Sequence, residues 1–110
     1  MADYMIQLNY TAEAVAALVA HPQNRLEVVQ KSIESLGGKV QGFWMSFGEY
    51  DVVGIMEMPN NVSAAAFSMA IAAGGACHNI KTTPLLKLED ALKAMKKAGG
   101  TGYKPVTSTE

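Results

Sequence analysis

The chain has a single cysteine, Cys77, among its 110 residues, so no disulfide can brace it internally. It has no apolar run near the ~20 residues that a membrane-spanning helix needs. Nor has it a surplus of basic charge: nine Lys and Arg stand against ten Asp and Glu, a formal net charge of −1. Nucleic-acid binding normally requires a basic face, and so does attraction to anionic lipid, so neither partner is expected. Met1 to Met5 shows no basic stretch leading into an apolar core, and a cytoplasmic protein is the expectation. There is no P-loop, no Gly-x-Gly-x-x-Gly after a strand, no nucleophile elbow and no Cys-x-x-Cys. Cofactors held by such signatures are disfavoured, and none is expected. His21 and His78 stand far apart in sequence without ligand spacing, whereas a dedicated metal site needs three or four ligands, so no metal is expected either.

What is present is a concentrated hairpin. The only Trp, two of three Phe and one of four Tyr fall between Phe43 and Tyr50. Lys39 to Phe47 reads as one arm and Asp51 to Met58 as the other, with a tight turn at Gly48-Glu49. On a regular pleat Phe43, Met45 and Phe47 face one way, and Val40, Gly42, Trp44 and Ser46 the other. Seven Met are scattered along the chain, which suits core filling better than soft-metal binding.

The remaining elements follow from periodicity. Tyr4 to Tyr10 alternates, with Tyr4, Ile6, Leu8 and Tyr10 on one face and Met5, Gln7 and Asn9 on the other, as in a half-buried strand. Thr11 caps a short helix over Ala12 to Val19. Pro22 opens the first turn of a second helix running to about Leu36, whose stripe is Leu26, Val29, Ile33 and Leu36. Gly37-Gly38 stops it. Asn61 or Ser63 caps a third, Ala-rich helix ending at Gly74-Gly75, with Phe67, Ala70 and Ile71 inward. His78 to Thr83 is a fourth strand that Pro84 either ends or places at an edge. A last helix carries Leu88, Leu92 and Met95 on one side.

The order β, α, β, β, α, β, with an extra short helix and a final one, defines the expected fold. It is an α+β, ferredoxin-like βαββαβ domain: a four-stranded antiparallel sheet with helices on one face. Residues 1–98 form the domain and 99–110 a C-terminal tail. Its second sheet face, bearing Met5, Gln7, Asn9 and either Trp44 or Phe43 with Met45, needs covering in so small a domain. A homodimer through the sheets, with two-fold symmetry, is the expected solution.

Gly48-Glu49-Tyr50-Asp51-Val52-Val53 resembles the name-giving motif of the GYD-domain proteins, small bacterial proteins mostly of unassigned function. The likeness runs from about Tyr4 to about Leu92. It takes in Thr11 at a strand end, Arg25 early in the main helix, Leu36-Gly37-Gly38, Phe43-Trp44 before the turn, and Asn79-Ile80-x-Thr82. The chain departs at His21-Pro22 and at Thr83-Pro84. The resemblance implies a ferredoxin-like fold similar to the dimeric α/β-barrel proteins, some of which are enzymes and some only binders.

Three functions are open at this point. The first is a homo-oligomeric domain binding a small molecule or acting in regulation, with Gln7, Asn9, Arg25, Trp44, Glu49 and Tyr50 as candidate ligand contacts. The second, drawn from the resemblance, is a cofactor-independent dimeric α/β-barrel enzyme acting on a small aromatic or enolisable substrate through Tyr50, Asp51 and His78. The third is a structural assembly protein, a homodimer or larger. The turn residues also have a plainer reading, in which Asp51 or Glu49 caps backbone donors and Tyr50 packs at the sheet end. Trp44 likewise suits an interface anchor.

Overall fold

The computed structural model describes residues 1–107; the last three residues of the expected tail, 108–110, lie outside the described residues. Strand β1 (Ala2–Tyr10) lies at the centre of an antiparallel sheet. It pairs on one side with β3 (Val52–Met58), and on the other with β4 (Cys77–Leu85). Strand β2 (Lys39–Met45) completes the sheet beyond β3, giving the order β2-β3-β1-β4. Four helices join and follow the strands: α1 (Ala12–Ala20), α2 (Leu26–Ser35), α3 (Asn61–Ala73) and α4 (Leu88–Gly99). The architecture is α+β with a four-stranded antiparallel sheet.

The alternation in β1 sets which face is the core. Tyr4, Ile6 and Leu8 are buried, opposite Met56, Gly54 and Val52 of β3. Onto this face pack Ile33 of α2 and Ala64 and Phe67 of α3. Ile6, Ile33, Met56 and Met58 are wholly buried. Each such side chain contributes about 1.5–3 kcal/mol relative to remaining exposed. Gly54 lies under the Phe43 ring: a Cβ there would sit 2.4 Å from Phe43 Cε2, so the absent side chain admits the aromatic. The Tyr4 hydroxyl donates to Asn61 Oδ1 at 2.5 Å, tying the sheet to the start of α3.

Helix ends follow local chemistry with some displacement from expectation. Thr11 Oγ1 accepts the Ala14 N–H at 3.1 Å and caps α1. The cap of α3 is Asn60, whose Oδ1 accepts the Ser63 N–H at 2.9 Å, and not Asn61 or Ser63. Helix α2 starts at Leu26, four residues later than Pro22, because Asn24 Oδ1 takes the Leu26 N–H at 2.9 Å and holds the preceding residues as a loop. At its other end Gly37, with φ of +81°, supplies the left-handed stop.

The hairpin differs from a regular pleat in two places. The register between β2 and β3 shifts between Val40 and Gly42. This bulge turns Val40 onto the core face with Phe43, where both pack against the buried cluster, and leaves Gly42 and Trp44 on the other face. The connection is also longer than a tight turn: β2 ends at Met45 and β3 begins at Val52, and the Ser46 N–H donates to the Asp51 carbonyl at 2.8 Å. Pro84 does not end β4. It sits opposite Tyr4 in an edge strand, where its missing N–H leaves no ladder bond unmade.

Among the described residues no helix covers the second face of the sheet. Met5, Gln7, Asn9, Val53 and Ile55 are each half-buried there by their neighbours. The Trp44 ring lies across Gly42, where a Cβ would come 2.4 Å from Trp44 Cη2, and 59 % of Trp44 is exposed.

Candidate functional site

On the helix side, α1 and α2 do not close against the sheet. A cleft of about 620 Å³ opens between them, walled by Val15 and Leu18 of α1, Leu26 and Val29 of α2, and Phe43 and Val52 of the sheet. A second hollow of about 460 Å³ shares Leu18, Val29, Phe43 and Val52 and extends to Phe67 and Ile71 of α3. Both volumes fall in the range of about 300–1,000 Å³ typical of small-molecule sites. The walls are largely apolar because the residues that would otherwise finish the core face line an open space.

Polar groups enter at a few points shared by the two hollows: Tyr10, Gln23 and Arg25, with Cys77 in the second. Tyr10 and Cys77 are partners in the β1–β4 ladder, so strand register brings phenol and thiol to one place. Arg25 stands at the head of α2, its Nη1 donating to Gln23 Oε1 at 3.0 Å. Among the described residues no carboxylate lies within ion-pair distance of it; the two ion pairs, Lys31–Glu27 and Lys93–Asp90, are elsewhere.

Burial pushes the Tyr10 phenol above its ordinary value of 10.0; Cys77 and Asp51 nearby add to the rise, against a smaller opposing pull from Arg25. Burial likewise raises the Cys77 thiol above 9.0, again with Arg25 opposing. At neutral pH both groups are therefore uncharged, and the thiol is no ready nucleophile. The guanidinium of Arg25 is the net charge at the cleft. The same shifts set a pH dependence. Folding favours the neutral phenol and thiol, so the stability they contribute is fully present below the unfolded values. It is lost as pH rises through the raised folded values. Melts taken from neutrality into the alkaline range should show stability falling once the thiol and then the phenol ionise, and the Tyr10→Phe/Cys77→Ser variant should flatten that fall.

The residues singled out by sequence are dispersed. Arg25 lines the cleft, and Trp44 borders its first hollow while its ring lies on the opposite face. Gln7 and Asn9 lie on the uncovered face, between β3 and β4. Asn9 is engaged at both ends of its amide: Nδ2 donates to the Glu49 carbonyl at 3.0 Å, and Oδ1 accepts from Asn79 Nδ2 at 2.9 Å. Glu49 is exposed in the hairpin loop, and the Tyr50 carbonyl accepts the Ser46 hydroxyl at 2.5 Å. Asp51 Oδ2 accepts the Tyr10 backbone N–H at 2.8 Å, while its own N–H donates to the Leu8 carbonyl at 2.9 Å. His78 is exposed, opposite Asn9 in the ladder. Tyr50, Asp51 and His78 do not line the cleft. Tyr10 and Cys77, which do, were not singled out; Tyr10 reads in sequence as one more core-face residue of β1, and only the pairing of β1 with β4 joins it to Cys77.

Among the described residues no three His, Cys, Asp or Glu side chains converge, and no helix is long and apolar enough to cross a membrane. The fold and the cleft together define a small α+β domain with a concave, mainly apolar site between its helices and its sheet. The chain belongs to the GYD domain family, whose model matches residues 4–95. That span runs from the start of the core in β1 through most of α4. No curated protein matches the chain.

Proposed function

We propose that this protein binds a small apolar molecule bearing an anionic group, a carboxylate being the simplest, in the cleft between α1, α2 and the sheet. The observation that carries the reading is Arg25: a guanidinium that has no carboxylate partner among the described residues, at an apolar cleft. A planar guanidinium binds carboxylates through paired N–H donors, and the head of α2 adds the favourable end of a helix dipole. The apolar walls favour a hydrophobic or aromatic body. Neutral Tyr10 and Cys77 can donate hydrogen bonds beside it without repelling an anion.

The reading places the domain among ferredoxin-like folds. The antiparallel order β2-β3-β1-β4 supports this, since β3 lies between β1 and β2 and β1 lies between β3 and β4, as two split βαβ units require. It also takes the protein as a homo-oligomer, a dimer or larger, that pairs through its uncovered sheet face. Support comes from exposed Trp44 beside Val53, with Met5 and Ile55 along the same face. The free thiol of Cys77 suits a reducing compartment, the cytoplasm. A binding role is preferred over proton-transfer catalysis because Tyr50, Asp51 and His78 stand apart from the cleft.

Calorimetric titration with 1-naphthoate, and in parallel with 1-naphthalenemethanol, tests the ligand class. Saturable binding of the acid with much weaker binding of the alcohol is expected. Equal affinity for both, or no binding of either, would overturn it.

A further inference from the structure

Helix α4 presents an apolar seam that the described residues leave bare. Leu88, Leu92 and Met95 are 87, 53 and 67 % exposed, and no residue of the helix is buried. The whole chain carries the same signature. Its radius of gyration is 18.1 Å, where a compact domain of this length has about 13 Å. Its longest extent is 63 Å, about twice the length of a nine-residue strand. Its accessible surface is 7800 Å², whereas a compact chain of 11.7 kDa exposes about 5,900 Å². The difference is more than twice the ~800 Å² that each partner brings to a standard interface. Surface in this excess is what a partner would bury.

We propose that α4 pairs with α4 of a second copy as an antiparallel two-helix seam centred near Leu92. The charge pattern selects this partner and this direction. One flank of the seam carries Glu89 and Lys96, a helical near-repeat apart; the other carries only Ala91 and Ala98. A two-fold axis across antiparallel helices sets like flank against like flank. Glu89 then meets the partner's Lys96 at one end and Lys96 the partner's Glu89 at the other, while the alanine flanks allow close approach. Leu88 packs against the partner's Met95, and Leu92 against its own symmetry mate. A parallel pair would instead lay the charged flank on the alanine flank and leave both charges without partners. Lys97 lies on the side away from the seam, as do Asp90 and Lys93, which pair within the helix at 3.7 Å. An acidic residue on the same flank as Lys96 suits a helix of matching pattern better than an anionic lipid surface.

The test uses the full chain with Cys77→Ser as background, so that one introduced thiol reports. Leu92→Cys is expected to form a covalent dimer under mild oxidation, because thiols near a two-fold approach within disulfide range. Cross-linking should be about tenfold or more faster than for Lys97→Cys on the outer face, where only diffusive collision brings thiols together. Lys96→Glu should slow cross-linking at position 92, and adding Glu89→Lys should restore it. Equal rates at 92 and 97 would overturn the proposal. So would a Leu92→Cys chain that stays uncross-linked, whether α4 folds back on its own body or rests on a vesicle, or a charge swap that fails to restore the rate. Both introduced cysteines are at exposed positions, and unchanged melting of each variant separates these outcomes from misfolding.

Discussion

Asp51→Ala is expected to destabilise the protein by about 1.5–3 kcal/mol, the range for a hydrogen bond to a charged group. The carboxylate receives the Tyr10 N–H at 2.8 Å, at the end of β1. The backbone of Asp51 meanwhile holds the hairpin loop to β1 through Leu8 and closes it through Ser46. Removing the side chain leaves those backbone bonds but strands a donor beside the cleft. Asp51→Asn keeps an acceptor at the same reach and should lose much less. Thermal or denaturant melts of the two variants check this. The comparison bears on the family motif itself: a large loss for Ala and a small one for Asn identifies the aspartate as a clamp between hairpin and β1.

Arg25→Gln is expected to act in the opposite way, with melting nearly unchanged and binding lost. The side chain is exposed, and its hydrogen-bond partner among the described residues, Gln23, is two residues away in the same loop. Little of the fold depends on it. A charged hydrogen bond to a ligand carboxylate is worth about 1.5–3 kcal/mol, so affinity for 1-naphthoate should fall about ten- to a hundredfold. Arg25→Lys should recover only part of that, because an ammonium cannot reproduce the paired donors of a guanidinium. Affinity for 1-naphthalenemethanol, which offers no anion, should change little in either variant.

The sequence shows the elements of this protein more clearly than its site, for physical reasons that differ from residue to residue. Alternation in β1 and the stripe through Ile33 are consequences of period, and period is visible in a string of letters. So is the stop at Gly37. The bulge at Gln41 is only hinted at. It shifts one residue of register and carries Val40 onto the face of Phe43; Gly42 inside the strand is its one signal, and the same Gly equally suits the close approach of the Trp44 ring. Pro84 is compatible with an end or an edge, and only the pairing of β4 with β1 decides. The start of α2 depends on whether Pro22 or the Asn24 side chain controls the chain there, a contest between two acceptable local structures.

The site was partly legible. Arg25 was visible as a cation early in a helix, but its value comes from standing over a hollow, and a hollow is the place where helices fail to meet. Leu18, Val29 and Phe43 look in sequence like residues of a filled core. Tyr10 and Cys77 are 67 positions apart and become neighbours only through the β1–β4 ladder. The last helix was legible in outline, with Leu88, Leu92 and Met95 on one side; that this side faces outward could not be read from its amphipathicity, which is the same for a helix packed on its own domain and for one awaiting a partner.

The central claim is the location of the site, on the helix side of the sheet and under Arg25. Two-dimensional NMR of uniformly ¹⁵N-labelled protein during titration with 1-naphthoate addresses it directly. The account predicts shifts concentrated at the amides of Leu18, Arg25, Val29 and Val52, with those of Gln7, Val53 and His78 on the uncovered face unmoved. Shifts confined to Gln7, Val53 and Trp44, or to the loop at Glu49 and Tyr50, would contradict it.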